Sequence, residues 1–437
     1  MGARGRELFG LLPVTLLVTA GFAAVVVARG SQIDKGTTTY GAIFLGACVL
    51  GHVFIRARLP AADPYIFPLA ALLAAFGLVE IYRIRPELAI KQAGWFGIGL
   101  VLFAITIVFL RDIRVLERYR YTIAIAGILL LLAPRLPGIG QQVNGAYLSI
   151  GVGSFSVQPA EFGKVAIVIF LASYLGDVRD VLVGGGRLPR ISMKHLGPLL
   201  AVFGIAMLML IFIRDLGSSL MFFGAFLALL YVATNRLSLV APPLIAFVFA
   251  SYFVGKSVPH VQDRVQAWLH PFNQHIYDMP GGSYQLAQSL FSQADGGLFG
   301  RGFGEAMLTQ ADGKPIVPAA QTDLIYSVIV NEVGLFGGIA LLIVYLLFIA
   351  RGFKTATLAP DGFSKLLATG LTAVFALQVF VIVGGVTKVI PLTGVTLPFV
   401  SYGGSSVVAN FVLLALLLIV SDRARRGPYA EAGGLVR

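Results

Sequence analysis

Long apolar runs, broken by short stretches in which arginines collect, occupy the chain from Leu8 to Val420. A helix needs about 20 apolar residues to cross ~30 Å of hydrocarbon. Runs of that kind lie near 8–28, 39–56, 64–83, 92–110, 119–133, 159–176, 196–213, 216–233, 238–255, 324–350, 366–386 and 398–421. The pattern predicts an all-α polytopic membrane protein with about twelve transmembrane helices and both termini on one side. The run after Arg4 and Arg6 is too long for a signal-peptide core and lacks a small-x-small cleavage site, so it is expected to remain as the first span.

The basic residues orient the spans, because Lys and Arg are retained on the cytoplasmic side during insertion. Placing the N-terminus inside puts Arg56, Arg58, Arg111, Arg114, Arg118, Arg120, Arg179, Arg236, Arg351, Arg423, Arg425 and Arg426 on that face. The outside then holds chiefly Arg29, Lys35, Arg83, Arg85 and Lys91. This N-in/C-in arrangement makes segment 256–322 one long external loop. Such a length usually carries structure of its own, and Trp268 with Leu286, Leu290, Phe291, Leu298 and Phe299 predicts a loop folded back on the membrane surface. A second external loop, 133–158, is rich in Gly, Pro and Ser and reads as turns or short strands.

Composition narrows the classes. Of 437 residues, 57% are hydrophobic and only 12% charged, which excludes an ordinary soluble domain. A net charge of +12 would suit nucleic acid, but the basic residues sit in short loops where topology and anionic head groups account for them. No nucleic acid partner is expected. The one cysteine, Cys48, rules out an intramolecular disulfide and a cysteine metal cluster. His52, His195, His260, His270 and His275 have no ligand spacing, and there is no HExxH, Walker loop or Ser/His/Asp order.

Ionisable groups at hydrocarbon depth are costly and therefore candidates for function. In Gln158-Pro159-Ala160-Glu161-Phe162-Gly163-Lys164, Pro159 suits a first helical turn, and Glu161 and Lys164 share a face at i, i+3, as a structural pair or as substrate contacts. Arg214-Asp215-Leu216-Gly217-Ser218-Ser219 reads as a turn with a capping aspartate, and Arg214 beside it as a phosphate ligand. Gln285 and Gln288 share a helix face, where neutral amides suit sugar hydroxyls and acetamides. The glycines of Gly296-Gly297-Leu298-Phe299-Gly300-Arg301-Gly302-Phe303-Gly304 permit a tight turn. Asp323 stands where the long loop enters an apolar helix, as a plain cap or as a partly desolvated carboxylate with a pKa suited to a general base. Glu332, further along that helix, needs a cation, for which Lys164 and Lys388 are candidates.

Taken in order, Asn144-Gly145-Ala146, the Gln158–Lys164 segment, Asp215-Leu216-Gly217, Tyr284-Gln285-Leu286-Ala287-Gln288-Ser289, Gly296-Gly297-Leu298-Phe299-Gly300, Thr322-Asp323, Glu332-Val333-Gly334-Leu335-Phe336-Gly337 and Pro398-Phe399-Val400-Ser401-Tyr402-Gly403-Gly404-Ser405-Ser406 resemble the SEDS family, which includes RodA, FtsW and SpoVE. The likeness runs from about Pro64 to Arg425. It implies a peptidoglycan glycosyltransferase of the bacterial cytoplasmic (inner) membrane that polymerises lipid II at the outer face with a class B penicillin-binding protein. The short tails lean towards an elongation, RodA-like role.

Carried over by residue, the resemblance makes Asp323 catalytic. It places Glu161, Lys164, Asp215, Gln285, Gln288, Glu332 and Ser401 on other family positions, and adds Arg214 and Arg301 as helpers for the diphosphate. The chemistry leaves room for a divalent cation but requires no other cofactor. Residues 1–62 read as two additional N-terminal helices, 63–425 as the family core and 426–437 as a short basic tail. The sequence departs from the family pattern at Leu148-Ser149, Gln321, Leu324 and Lys388, which bears on substrate and partner contacts more than on the reaction. The rival readings are a lipid II flippase and a non-catalytic cell-wall scaffold.

Overall fold

The computed structural model describes residues 2–28, 35–136, 140–143, 146–152, 155–183, 193–209, 211, 215–279, 282–309 and 315–426. Helices α1 (Ala3–Gly10) and α2 (Leu12–Ala28) form one span, and α3 (Lys35–Arg58) follows them. The next pair is α4 (Ile66–Ile84) and α5 (Pro86–Phe109); Pro86 opens α5 at a position whose N–H would have no helical partner anyway. After α6 (Arg114–Arg118) and α7 (Arg120–Leu132) the 133–158 loop forms a small antiparallel sheet. Its strands β1 (Gly140–Val143), β2 (Ala146–Val152) and β3 (Phe155–Val157) lie in that order, in line with the expected short strands.

Helices α8 (Ala160–Val183), α9 (Met193–Leu208), α10 (Leu216–Thr234) and α11 (Leu237–Ser257) continue the bundle. The long connection that follows is largely helical, with α12 (Pro259–Leu269), α13 (Gln274–Asp278) and α14 (Tyr284–Gly296). Then come α15 (Ile325–Leu358), α16 (Gly362–Val386) and α17 (Gly404–Arg426). Nine stretches among the described residues are long and apolar enough to span a membrane. The other three expected spans coincide with α7, α8 and α9. Of these α8 has the length, at 24 residues, but Glu161, Lys164, Asp177, Arg179 and Asp180 punctuate it, while α7 and α9, at 13 and 16 residues, fall short of the ~20 needed to cross alone.

The core centres on α17, which is buried along nearly its whole length among α5, α8, α15 and α16. Phe411 of α17 meets Phe96 of α5 edge-on at 5.0 Å and Phe399 at 5.5 Å. Gly99 leaves the room that the Phe411 ring takes. Aromatic edges of this kind add to burial in fixing the packing of two helices.

A break in α15 positions the end of this long connection. Gly334 has φ 70° and ψ −178°, a region only glycine enters freely. Interrupting a helix frees backbone groups that hydrocarbon cannot satisfy. The glycine-rich segment satisfies them: the Arg301 and Gly302 N–H groups donate to the Asn331 and Glu332 carbonyls at 2.9 and 3.1 Å. In return the Leu335 and Phe336 N–H groups donate to the Gly297 and Leu298 carbonyls at 3.0 and 3.2 Å. A Cβ on Gly334 would lie 2.3 Å from the Leu298 oxygen. Helix α14 is thereby laid along α15, with Leu286, Ala287 and Ser289 buried and the Ser289 and Ser327 hydroxyls 2.6 Å apart. Replacing Gly334 by Ala should lower thermal stability by about 1–3 kcal/mol or more, from strain and the clash together. Gly176→Ala, at a helical site with nothing within 4 Å, serves as the control, read by thermal unfolding of the purified protein.

Candidate active site

Helices α8, α10, α15 and α17 all begin at the same end of the bundle, and the polar residues of the family motifs lie on their first turns. Lys164, 1% exposed, donates from Nζ to Glu161 Oε2 at 2.6 Å and to Gln378 Oε1 of α16 at 2.5 Å. Gln378, fully buried, donates onward to the Thr396 carbonyl at 2.8 Å. The carboxylate and the amide take the place of the water that a lysine Nζ would otherwise bind.

Asp215 caps α10, accepting from the Ser218 N–H at 2.9 Å and from the Ser218 hydroxyl at 2.6 Å, as the sequence predicts. Burial raises its pKa above the usual carboxylate range, against the pull of Ser218 and of the Arg264 charge. Arg264, on α12, interacts with both Asp215 and Asp323, and burial lowers its own pKa. Its Nη1 donates to the Leu392 carbonyl at 2.9 Å, while Trp268 Nε1 donates to the Lys388 carbonyl at 3.0 Å, so α12 is pinned to the turn after α16.

Asp323 is not the cap of α15. Leu324 takes that position and no side chain caps the helix, which leaves the Asp323 carboxylate for other work. Thr322 Oγ1 donates to Asp323 Oδ1 at 2.8 Å. Desolvation raises the Asp323 pKa above its ordinary value, with the Thr322 hydrogen bond and the Arg264 charge opposing it. The turn is held from behind by Ser401, whose hydroxyl donates to the Thr322 carbonyl at 2.5 Å, and by the Tyr402 N–H donating to the Gln321 carbonyl at 2.8 Å. Gln92 of α5 steadies the same loop through the Ser401 carbonyl, at 3.2 Å.

The structure thus brings Glu161, Lys164, Asp215, Asp323 and Ser401 together. Others stand apart from this network. Glu332 pairs neither with Lys164 nor with Lys388: Lys164 is already engaged with Glu161 and Gln378, and Arg83 of α4 reaches Glu332 Oε1 with Nε at 2.6 Å. Glu332 Oε2 accepts from the Gly304 N–H at 2.9 Å, so Glu332 fastens the glycine-rich loop. Arg301 is exposed and paired with Asp295. Gln288 donates to the Tyr277 hydroxyl at 2.8 Å, and Gln285 is half-buried on the same helix. Arg214 lies outside the described residues, as do Asn144 and Gly145.

Two members, Arg264 and Gln378, were not legible as site residues. A glutamine in the apolar run Ala373–Val381 is a costly group that a search of charged residues alone passes over. Arg264 stands next to Asp263 in α12, and nothing in its spacing sets it apart. Among the described residues no three His, Cys, Asp or Glu side chains are grouped to hold a metal ion.

Fold and site define a polytopic membrane protein with a cluster of buried polar groups at one end of its bundle. The chain belongs to the FtsW/RodA/SpoVE family, described as cell cycle proteins, whose model matches residues 65–426. It is 41% identical to peptidoglycan glycosyltransferase RodA of Mycobacterium bovis, over 97% of this chain and 91% of that one. It is 33% identical to stage V sporulation protein E of Bacillus subtilis, over 68% and 77%. A solved structure described as the structural coordination of polymerization and crosslinking by a peptidoglycan synthase complex superposes with a TM-score of 0.68 at 26% identity, covering 84% of this chain and 99% of that one. RodA of Thermus thermophilus, at 24% identity and a TM-score of 0.60 over 84% and 98%, shares the fold.

Removing Lys164 alone (Lys164→Met) leaves Glu161 buried and unpaired and should cost about 3–5 kcal/mol. The double variant with Glu161→Gln should recover most of that loss. Thermal unfolding of the two variants checks both outcomes.

Proposed function

We propose that this chain, a peptidoglycan glycosyltransferase, polymerises lipid II at the outer face of the cytoplasmic membrane with Asp323 as its general base. The reading rests above all on Asp323 itself: a carboxylate at the polar cluster, desolvated, released from capping duty and facing a guanidinium. In the reaction, O4 of the GlcNAc of lipid II attacks the anomeric carbon of the terminal MurNAc of the growing glycan. The new C1–O4 bond forms as the bond from C1 to the diphosphate breaks. The hydroxyl proton passes to the Asp323 carboxylate, and undecaprenyl diphosphate leaves with the bonding electrons.

The leaving group gains negative charge, and the polar cluster is built to meet it. Arg264 and Lys164 supply cations, and α8, α10, α15 and α17 direct their N-terminal partial charges to this end. Glu161, Asp215 and Ser401 act mainly by holding those groups in place. The prenyl tails stay in the bilayer while the sugars occupy the external side, which accounts for a transferase made almost wholly of membrane helices. A class B penicillin-binding protein is the partner that would crosslink the product. Residues 1–62 form a two-span addition packed on the core, with Phe22 against Tyr82 at 5.1 Å and Phe44 against Phe96 at 4.7 Å.

Asp323→Asn should reduce polymerisation of labelled lipid II in proteoliposomes by at least ~10²-fold while the protein still folds and inserts. Retained polymerisation removes Asp323 from the mechanism. A raised carboxylate pKa places the acid limb of the rate profile above the ordinary aspartate range, with activity lost as pH falls through it. Arg264→Gln removes a charge that favours the ionised carboxylate, so its acid limb should move to higher pH, measured as initial rate against pH.

A further inference from the structure

At the end of the bundle opposite the polar cluster, the termini of α3, α5 and α17 enclose a cavity of about 580 Å³. Five arginines line it, Arg58, Arg111, Arg114, Arg423 and Arg426, against two carboxylates. Those carboxylates are engaged: Asp422 pairs with Arg426 at 2.6 Å, and Asp112 lies 3.7 Å from Arg423. Arg58, Arg111 and Arg114 are exposed. The remaining wall is apolar and continuous with the spans, through Leu59, Ile107 and Ile419.

A cavity that is basic at its mouth and greasy at its side, set where spans meet the cytoplasmic surface, matches a ligand with an anionic phosphate head and an acyl body. We infer that this cavity is a binding site for an anionic phospholipid of the inner leaflet, its phosphate held by Arg58, Arg111 and Arg114. The site is separate from the polar cluster proposed to handle lipid II, and none of these arginines touches the groups assigned to catalysis. Because Arg58 ends α3 and Arg423 and Arg426 end α17, a bound headgroup would tie the N-terminal addition to the core helix at the centre of the bundle.

The test is native mass spectrometry of the full chain released from micelles containing phosphatidylglycerol and phosphatidylcholine. Wild type should retain phosphatidylglycerol preferentially, and R58Q/R111Q/R114Q should lose at least ~10-fold of that preference, since each arginine near an anionic surface is worth roughly a factor of five. R56Q, at the same membrane face but outside the cavity, should keep it. D112N removes a competing anion and should raise the preference, which keeps the inference testable if the triple variant does not fold. Equal retention of the two lipids by wild type, an undiminished preference in the triple variant, a D112N preference that is unchanged or lower, or displacement of the lipid by millimolar inorganic phosphate would each overturn it. The last outcome would mark a site for a soluble phosphate.

Discussion

A lysine side chain withdrawn from water organises the end of the bundle at which the proposed site lies. Lys164 is buried with Glu161 and Gln378 within 2.6 Å of its Nζ, and those two residues come from different helices. Satisfying one polar group therefore fixes α8 against α16. Gln378 passes the constraint on through its amide to Thr396, in the turn that carries Ser401. Ser401 in turn holds the carbonyl of Thr322, next to Asp323. Three hydrogen bonds, joined by the chain itself between Thr396 and Ser401 and between Thr322 and Asp323, thus run from the buried lysine to the carboxylate proposed as base. Each link is a group that hydrocarbon would not solvate, so slack in any of them carries a desolvation penalty.

The rest of the bundle obeys the same constraint at separate places. Asp63, fully buried, accepts from Arg351 Nε at 2.9 Å, and its N–H donates to the Ser421 hydroxyl at 2.9 Å. The Ala61 N–H reaches Asp422 at 2.8 Å. The segment just before the family match is therefore fastened to the far end of α17. On the external side Arg83 links α4 to Glu332 and to the Gly304 and Ala306 carbonyls at 2.6 and 2.8 Å. Charges inside the bundle act as rivets between helices that apolar packing alone would let slide.

Nine of the spans were legible because hydrocarbon imposes a length and an apolar pattern that few sequences show by accident. Asp215 was legible as a cap because Asp-x-x-Ser before an apolar run needs only local geometry. What stayed hidden depends on distant packing. The partner of Glu332 is Arg83, 249 positions earlier, and no local rule connects them. Asp323 could be read as a cap from its place alone, and only the turn around Thr322 shows that Leu324 takes that role. Lys388 is instructive in another way: its φ of 64° is a left-handed conformation that small residues, above all glycine, adopt at least cost. A lysine there therefore carries a backbone cost.

A flippase and a polymerase would bind the same lipid, and the arrangement of polar groups across the bundle separates them. Alternating access needs a polar path near the bilayer midplane and a broken helix able to rock beside it. Here the middle of α17, from Phe411 to Val420, buries only apolar side chains, and α8 offers the same between Val165 and Ala172. The bundle does contain a broken helix, α15, but its break is closed by four backbone hydrogen bonds to the glycine-rich segment and by contact distances that leave no room for a Cβ. A clamped break holds a loop and its neighbouring carboxylate at fixed positions, which a transferase requires and a rocking gate forbids. The polar groups of the cluster, gathered where α8, α10 and α15 begin, therefore favour chemistry at one surface over passage between two.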